Sequence, residues 1–228
     1  MKFDYILDKI ATHKLEKKPF QYLCIDNFLK ENDYKNIIKK IPRDEKWQTH
    51  KFKGRRRSWQ AQTYTFNHKK LDMISDLSFI FESNEFKKKL FEKFNIKKNY
   101  SKGILKTTWC RDYDAFSITP HRDQNSKILS FLFYLPKDNR HKHNGTQILK
   151  PLKNLDHKGD NHLQWYDFKK VKDIDFIKNR FICWSVNSKS YHSVDIRFSR
   201  GEKNAYRDTV RGFFFQNKEK LPVLFSRY

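Results

Sequence analysis

The sequence predicts an α+β chain that is mainly β: N-terminal helices packed on one face of a double-stranded β-helix, or jelly roll. Three observations carry that reading. Up to about residue 102 the chain reads as helical stretches with a few short extended ones, and from Gly103 onward as short apolar, aromatic runs parted by polar turns. Helices followed by many short strands are the pattern of helices laid on a β-sandwich, and the jelly roll is the closed architecture that matches. Hydrophobic residues make up 37%, yet aromatics reach 16% with 21 Phe, so a core can be built from rings. No repeat, low-complexity tract or linker interrupts the 228 residues. The chain therefore reads as a single domain, with 1–102 a helical and strand extension and 103–217 the jelly-roll core.

Taken in order, residues 1–17 carry Phe3, Ile6, Leu7 and Ile10 at helical spacing and predict a short helix. Pro19 to Asp26 reads as a strand. Asn27 to Ile41 reads as an amphipathic helix that Pro42 closes. Trp59 to Phe66 alternates as a strand does, and Leu71 to Phe94 reads as helical with a break near Ser83-Asn84. Lys127 to Leu135 is an apolar β candidate ended by Pro136. Asn144-Gly145 is a turn opening a short strand to Pro151. Arg180 to Ser185, Ser190 to Val194 and Arg207 to Phe215 read as three further strands. Asp138 to His143 and Asp156 to Asp167 are polar loops placed to border a site mouth.

The chemistry concentrates in His121-Arg122-Asp123, His192 and Arg207. Two histidines and a carboxylate can cover one face of Fe(II) and leave the opposite face open. On a strand His121 and Asp123, two residues apart, point to one side, and His192 comes from another strand. Arg207 offers a forked, always-charged donor for a carboxylate-bearing co-substrate. Arg207, Thr209 and Arg211 share one strand face, so Arg211 is the alternative carboxylate ligand.

The segments around these residues run, in order, Pro120-His121-Arg122-Asp123, Ser130-Phe131-Leu132-Phe133-Tyr134-Leu135-Pro136, Gly145-Thr146, Ser190-Tyr191-His192-Ser193-Val194 and Arg207-Asp208-Thr209-Val210-Arg211-Gly212-Phe213-Phe214. In that order and spacing, over about residues 103 to 217, the chain resembles the 2-oxoglutarate/Fe(II)-dependent dioxygenases of the prolyl-4-hydroxylase-like branch. The resemblance implies His121, Asp123 and His192 on iron, Arg207 on the distal carboxylate of 2-oxoglutarate, and Tyr134 and Thr209 beside it. It implies Fe(II), 2-oxoglutarate and O2 as cofactor and co-substrates. The implied reaction hydroxylates a substrate C–H bond while 2-oxoglutarate becomes succinate and CO2. A carboxylate at Asp123, where related halogenases have a small residue, argues for hydroxylation. Two departures stand out. Fifteen residues separate His192 from Arg207, a few more than is usual, and a single glycine, Gly145, stands where two are common.

The net charge is +23, from 49 Lys+Arg against 26 Asp+Glu. Scattered lysines are what AT-rich coding produces, but a field this large also biases a site toward anions. The one dense cluster, Lys51-Phe52-Lys53-Gly54-Arg55-Arg56-Arg57-Ser58-Trp59, reads as a solvated loop or as a phosphate- and ring-contacting patch. The expected partner is thus a small-molecule or macromolecular substrate, anionic or prolyl, with nucleic acid less favoured. The competing reading is a non-catalytic jelly-roll module that binds nucleic acid or acidic glycan through its basic surface. No apolar run reaches membrane-spanning length and the N-terminus lacks the apolar stretch of a signal peptide, which predicts a cytoplasmic location. Cys24, Cys110 and Cys183 have no metal-type spacing and read as buried and reduced. His141 and His143 read as a solvated loop, His157 and His162 as entrance candidates that nothing selects, and Trp165 and Tyr166 as packing or stacking groups. The sequence selects no oligomeric state.

Overall fold

The computed structural model describes residues 4–42, 48–51, 62–66, 72–96, 104–153, 155, 163–199, 202 and 205–216. The helices are α1 (Tyr5–Thr12), α2 (Glu31–Lys40), α3 (Asp72–Glu82) and α4 (Asn84–Lys93). The N-terminal strands are β1 (Leu15–Glu16), β2 (Tyr22–Ile25), β3 (Gln48–Lys51) and β4 (Gln62–Phe66). The remaining strands are β5 (Ile104–Asp112), β6 (Ser117–His121), β7 (Lys127–Tyr134), β8 (Thr146–Pro151), β9 (Phe168–Ile174), β10 (Phe181–Ser185), β11 (His192–Asp195) and β12 (Arg207–Phe215). Among the described residues these strands form two antiparallel sheets, ordered β1-β2-β10-β7-β12-β5-β4-β3 and β6-β11-β8-β9. No described helix is long and apolar enough to cross a membrane.

Strand alternation sorts the core into two layers. On β7, Leu129, Phe131 and Phe133 face the helices and join Ile6, Ile10, Ile37, Phe81, Phe86 and Phe91 in one buried cluster. Leu132 and Tyr134 face the other way and meet Ile148 of β8 and Ile174 of β9 between the sheets. Phenylalanine rings fill the helix-side layer: Phe28 lies 4.5 Å from Phe181, and Phe81 lies 5.2 Å from Phe131, centroid to centroid. Trp109 of β5 donates its indole N–H to Ser78 of α3 at 3.1 Å, satisfying a polar atom inside that layer.

Local chemistry explains most element ends. The helical stretch over 71–94 breaks at Ser83, whose hydroxyl accepts the Phe86 N–H at 3.1 Å and caps α4. Helix α2 begins at Glu31, four residues later than Asn27. Asn27 has φ 49°, and Asn179 holds the next residues extended, with its carbonyl on Phe28 N–H at 2.9 Å and its side chain on both Leu29 N–H and Leu29 O at 2.8 Å. That clamp comes from 150 positions away in the chain, where no local signal reveals it. Strand β4 begins at Gln62; residues 59–61 and the basic run over 52–61 lie outside the described residues, as do His157 and His162. Pro120 sits in β6, an edge strand, where its missing N–H costs no ladder bond.

Gly212 of β12 lies beneath the Phe131 ring. A methyl group there would come 2.0 Å from a ring carbon. Gly212→Ala is therefore expected to overpack this layer and destabilise the fold by about 1–3 kcal/mol. At about 2–4 °C per kcal/mol for a chain this size, a thermal melt reads the loss directly. An unchanged melting temperature would mean that the ring yields freely.

Candidate active site

Strands β6 and β11 pair with His121 opposite His192, so the two imidazoles stand side by side, 4.3 Å apart between ring centroids. The His121 Nδ1 is 2.9 Å from the Thr119 carbonyl and the His192 Nδ1 is 3.0 Å from the Ser190 carbonyl. A carbonyl only accepts, so in the neutral rings Nδ1 carries the hydrogen and Nε2 keeps its lone pair. Burial holds the His192 pKa below its ordinary value, with Asp123 partly offsetting it, so this ring is neutral at neutral pH.

Asp123 lies past the end of β6, in the segment that leads to β7, rather than on the strand with His121. It still reaches the same cavity, with its Oδ2 3.8 Å from His192 Nε2. The carboxylate is buried and well supplied with donors. Lys127 Nζ is 2.5 Å from Oδ1, and Oδ2 accepts from Ser130 at 2.8 Å and from the Trp184 indole at 3.2 Å. Burial alone would raise its pKa, but Lys127 and the two histidines outweigh it and hold the carboxyl far below the usual range.

The second half of the cavity is built by β12 and β5. Their register carries two buried ion pairs of opposite sense. Arg111 grips Asp208 through Nε at 2.8 Å and Nη2 at 2.7 Å. One residue along, Asp112 accepts Arg207 Nη1 at 2.9 Å on the other face. A slip by one residue would exchange the faces and turn Arg207 out of the cavity. Asp112, fully buried, also accepts Arg211 Nη2 at 2.5 Å. Two guanidiniums thus share one carboxylate, leaving one net positive charge. The Nε and Nη2 of Arg207 and the Oγ1 of Thr209 are buried with no hydrogen-bond partner among the described residues. Orphaned donors of this kind cost about 1–3 kcal/mol each, which an anion bound there would recover. Tyr134 lies beside them, its ring 5.2 Å from the Arg207 guanidinium and its hydroxyl bonded to Thr146 at 2.6 Å.

The cavity that joins these two ends is lined by His121, Asp123, His192, Trp184, Thr146, Arg207, Arg211 and Phe213, among others. The donor set suits Fe(II): two imidazole nitrogens and an ionised carboxylate. Ligand atoms about 2.1 Å from an ion and at right angles to each other lie about 3.0 Å apart, and the edge from His192 Nε2 to Asp123 Oδ2 is 3.8 Å. Among the described residues no group of His, Cys, Asp or Glu has closed to metal-holding distances.

Five of the seven site residues expected from the sequence line this cavity; Tyr134 bonds Thr146 of its wall, and Thr209 lies on β12 between Arg207 and Arg211. Sequence reasoning missed Asp112, Lys127, Ser130 and Trp184. Ser130 alone left a trace, as a polar residue within the apolar run of β7. His141 and His143 lie in a loop, His143 exposed and His141 half-buried, and each has a partner. His141 Nε2 is 3.1 Å from Glu202, and His143 Nε2 is 2.7 Å from the Arg197 carbonyl. Trp165 and Tyr166 are exposed. The three cysteines are free, and burial pushes the Cys24 and Cys110 thiols up to about 11 and about 12, so both are unreactive at neutral pH.

No protein-family model and no curated protein matches the chain. Solved structures do share its fold. A prolyl-4-hydroxylase from Pseudomonas putida superposes with TM-score 0.57 at 10% identity, over 94% of this chain and 98% of that one. An oxidoreductase of the 2OG-Fe(II) oxygenase family from Burkholderia pseudomallei gives TM-score 0.53 at 8% identity, over 86% and 84%. The non-haem α-ketoglutarate-dependent epimerase SnoN, from nogalamycin biosynthesis, gives TM-score 0.58 at 10% identity, over 96% and 89%. At these identities the likeness is one of fold.

Proposed function

We propose that the chain is an Fe(II)- and 2-oxoglutarate-dependent oxygenase that hydroxylates a C–H bond. One observation carries the reading. A single cavity holds two Nδ1-anchored imidazoles and an ionised carboxylate at one end, and a half-unpaired buried arginine at the other. The fold neighbours support the metal and co-substrate class by name, and SnoN is described in complex with Fe3+, α-ketoglutarate and nogalamycin RO. The fold is read as a double-stranded β-helix formed within residues 103–217, because β5 to β8 alternate between the two sheets, β8 pairs with β9 in the smaller one, and β9 to β12 alternate back.

In this reading His121, His192 and Asp123 hold the metal, and the carbonyls of Thr119 and Ser190 fix the ring tautomers. Bound Fe(II) supplies O2 activation coupled to decarboxylation of 2-oxoglutarate to succinate and CO2. Arg207 grips the distal carboxylate through its Nε and Nη2 edge, with Thr209 and Tyr134 beside it. Asp112 keeps the Arg207 fork turned into the cavity. Trp184 and Phe213 wall the cavity and limit water. Succinate release from 2-oxoglutarate with Fe(II) and air, screened over candidate substrates, tests the proposal. Salt-dependent polyanion binding with no metal requirement would instead identify a non-catalytic module.

The substrate is taken to be anionic or attached to an anion, because the net charge is +23. The Debye length falls from about 10 Å at 0.1 M salt to about 3 Å at 1 M, so activity should fall with salt through a rising Michaelis constant. Replacing Arg55, Arg56 and Arg57 with Ser should reproduce part of that loss at low salt. A salt-insensitive Michaelis constant would reduce the charge to composition.

A further inference from the structure

We propose that Lys127 is a displaceable counter-ion of Asp123, and that its ammonium competes with the divalent cation for that carboxylate. The inference rests on reading Asp123 as a metal ligand. Lys127 Nζ lies 2.5 Å from Asp123 Oδ1, while Oδ2 is taken by Ser130 and Trp184. Asp123 thus meets the ammonium through Oδ1 and faces His192 through Oδ2, 3.8 Å from Nε2, so a cation held beside the imidazoles would share this carboxylate with the lysine. A divalent ion and an ammonium held against one buried carboxylate repel each other strongly. The same ammonium, while it holds Asp123, also lies over an aromatic ring. Its Nζ is 3.9 Å from the centroid of Phe213, a ring that lines the same cavity.

The backbone of Lys127 is fixed, and its charge sits at the end of a rotatable arm. Lys127 opens β7, and its N–H is bonded to the Gln124 carbonyl at 2.9 Å. On the neighbouring strand, Phe215 pairs with Lys127, so the main chain is held from both sides. The flexible four-carbon stem carries the charge, and its side chain is 12% exposed. Lys127 is thus a positioning residue. It keeps a buried carboxylate compensated and ionised, and makes metal binding conditional on its own departure.

The competition predicts opposite signs for two measurements on one variant. Lys127→Met should bind Co(II) more tightly, by at least about tenfold, because the competing charge is gone. The same substitution should lower the melting temperature of the metal-free protein, because Asp123 stays buried and loses its partner. Lys127→Gln, which can still donate to the carboxylate without a charge, should tighten Co(II) binding too and serves if the Met variant does not fold. Lys127→Arg should remain close to the parent. Co(II) affinity can be read from its visible absorption or by calorimetry, with His192→Ala as the control. Unchanged or weaker Co(II) binding in both neutral variants, with parent binding that depends on His192, overturns the role of Lys127 alone. A parent that binds no Co(II) overturns the metal-site reading and this inference with it.

Discussion

Replacing His192 with alanine should abolish Fe(II) binding and 2-oxoglutarate turnover together. The ring is buried, faces His121 across the β6–β11 pair, and is locked through its Nδ1 on the Ser190 carbonyl. Losing only a supporting partner of a metal ligand costs about 10–100-fold in affinity or activity, so losing the ligand itself should cost more than about 100-fold. Calorimetric titration with the metal and succinate release measure the two effects, and circular dichroism checks the fold. Metal affinity within a few-fold of the parent would remove His192 from the centre.

Arg207→Ala should raise the dissociation constant for 2-oxoglutarate several hundredfold or more, since breaking a buried charge pair costs about 3–5 kcal/mol. Part of that cost should appear as lower stability, because Asp112 would keep only Arg211 as an ion-pair partner of the two. Arg207→Lys should rescue only partially, because a point charge cannot replace a fork. Arg211→Ala should have the smaller effect on 2-oxoglutarate. Its Nη2 is committed to Asp112, whereas Arg207 offers two unpartnered buried nitrogens. If Arg211→Ala weakened 2-oxoglutarate binding sharply and Arg207→Ala did not, the register of the carboxylate site would be off by four residues.

The strands that carry the site were legible because their signals are local. Lys127 to Leu135 and Arg207 to Phe215 are apolar or alternating runs, and β7 and β12 fall inside them. The break at Ser83 was legible for the same reason, as a capping residue between two helical patterns. The start of α2 was not, since Asn179 decides it from across the fold. His121 and Asp123 do not share one strand face, because β6 ends at His121 and Asp123 enters from the following loop, yet both line one cavity.

By itself the sequence determined which groups are present: two histidines, a carboxylate and an arginine, with His192 and Arg207 in segments that read as strands. Tertiary structure decided what those groups are doing. It set Asp112 between Arg207 and Arg211 across 95 positions of chain, left one edge of Arg207 unpaired, and gave Asp123 to Lys127, Ser130 and Trp184. Periodicity and residue type belong to sequence neighbours and survive in a one-dimensional reading. The partner of a buried charge is chosen by strand register and by what else is in reach once water is excluded, and both exist only after the sheets have closed.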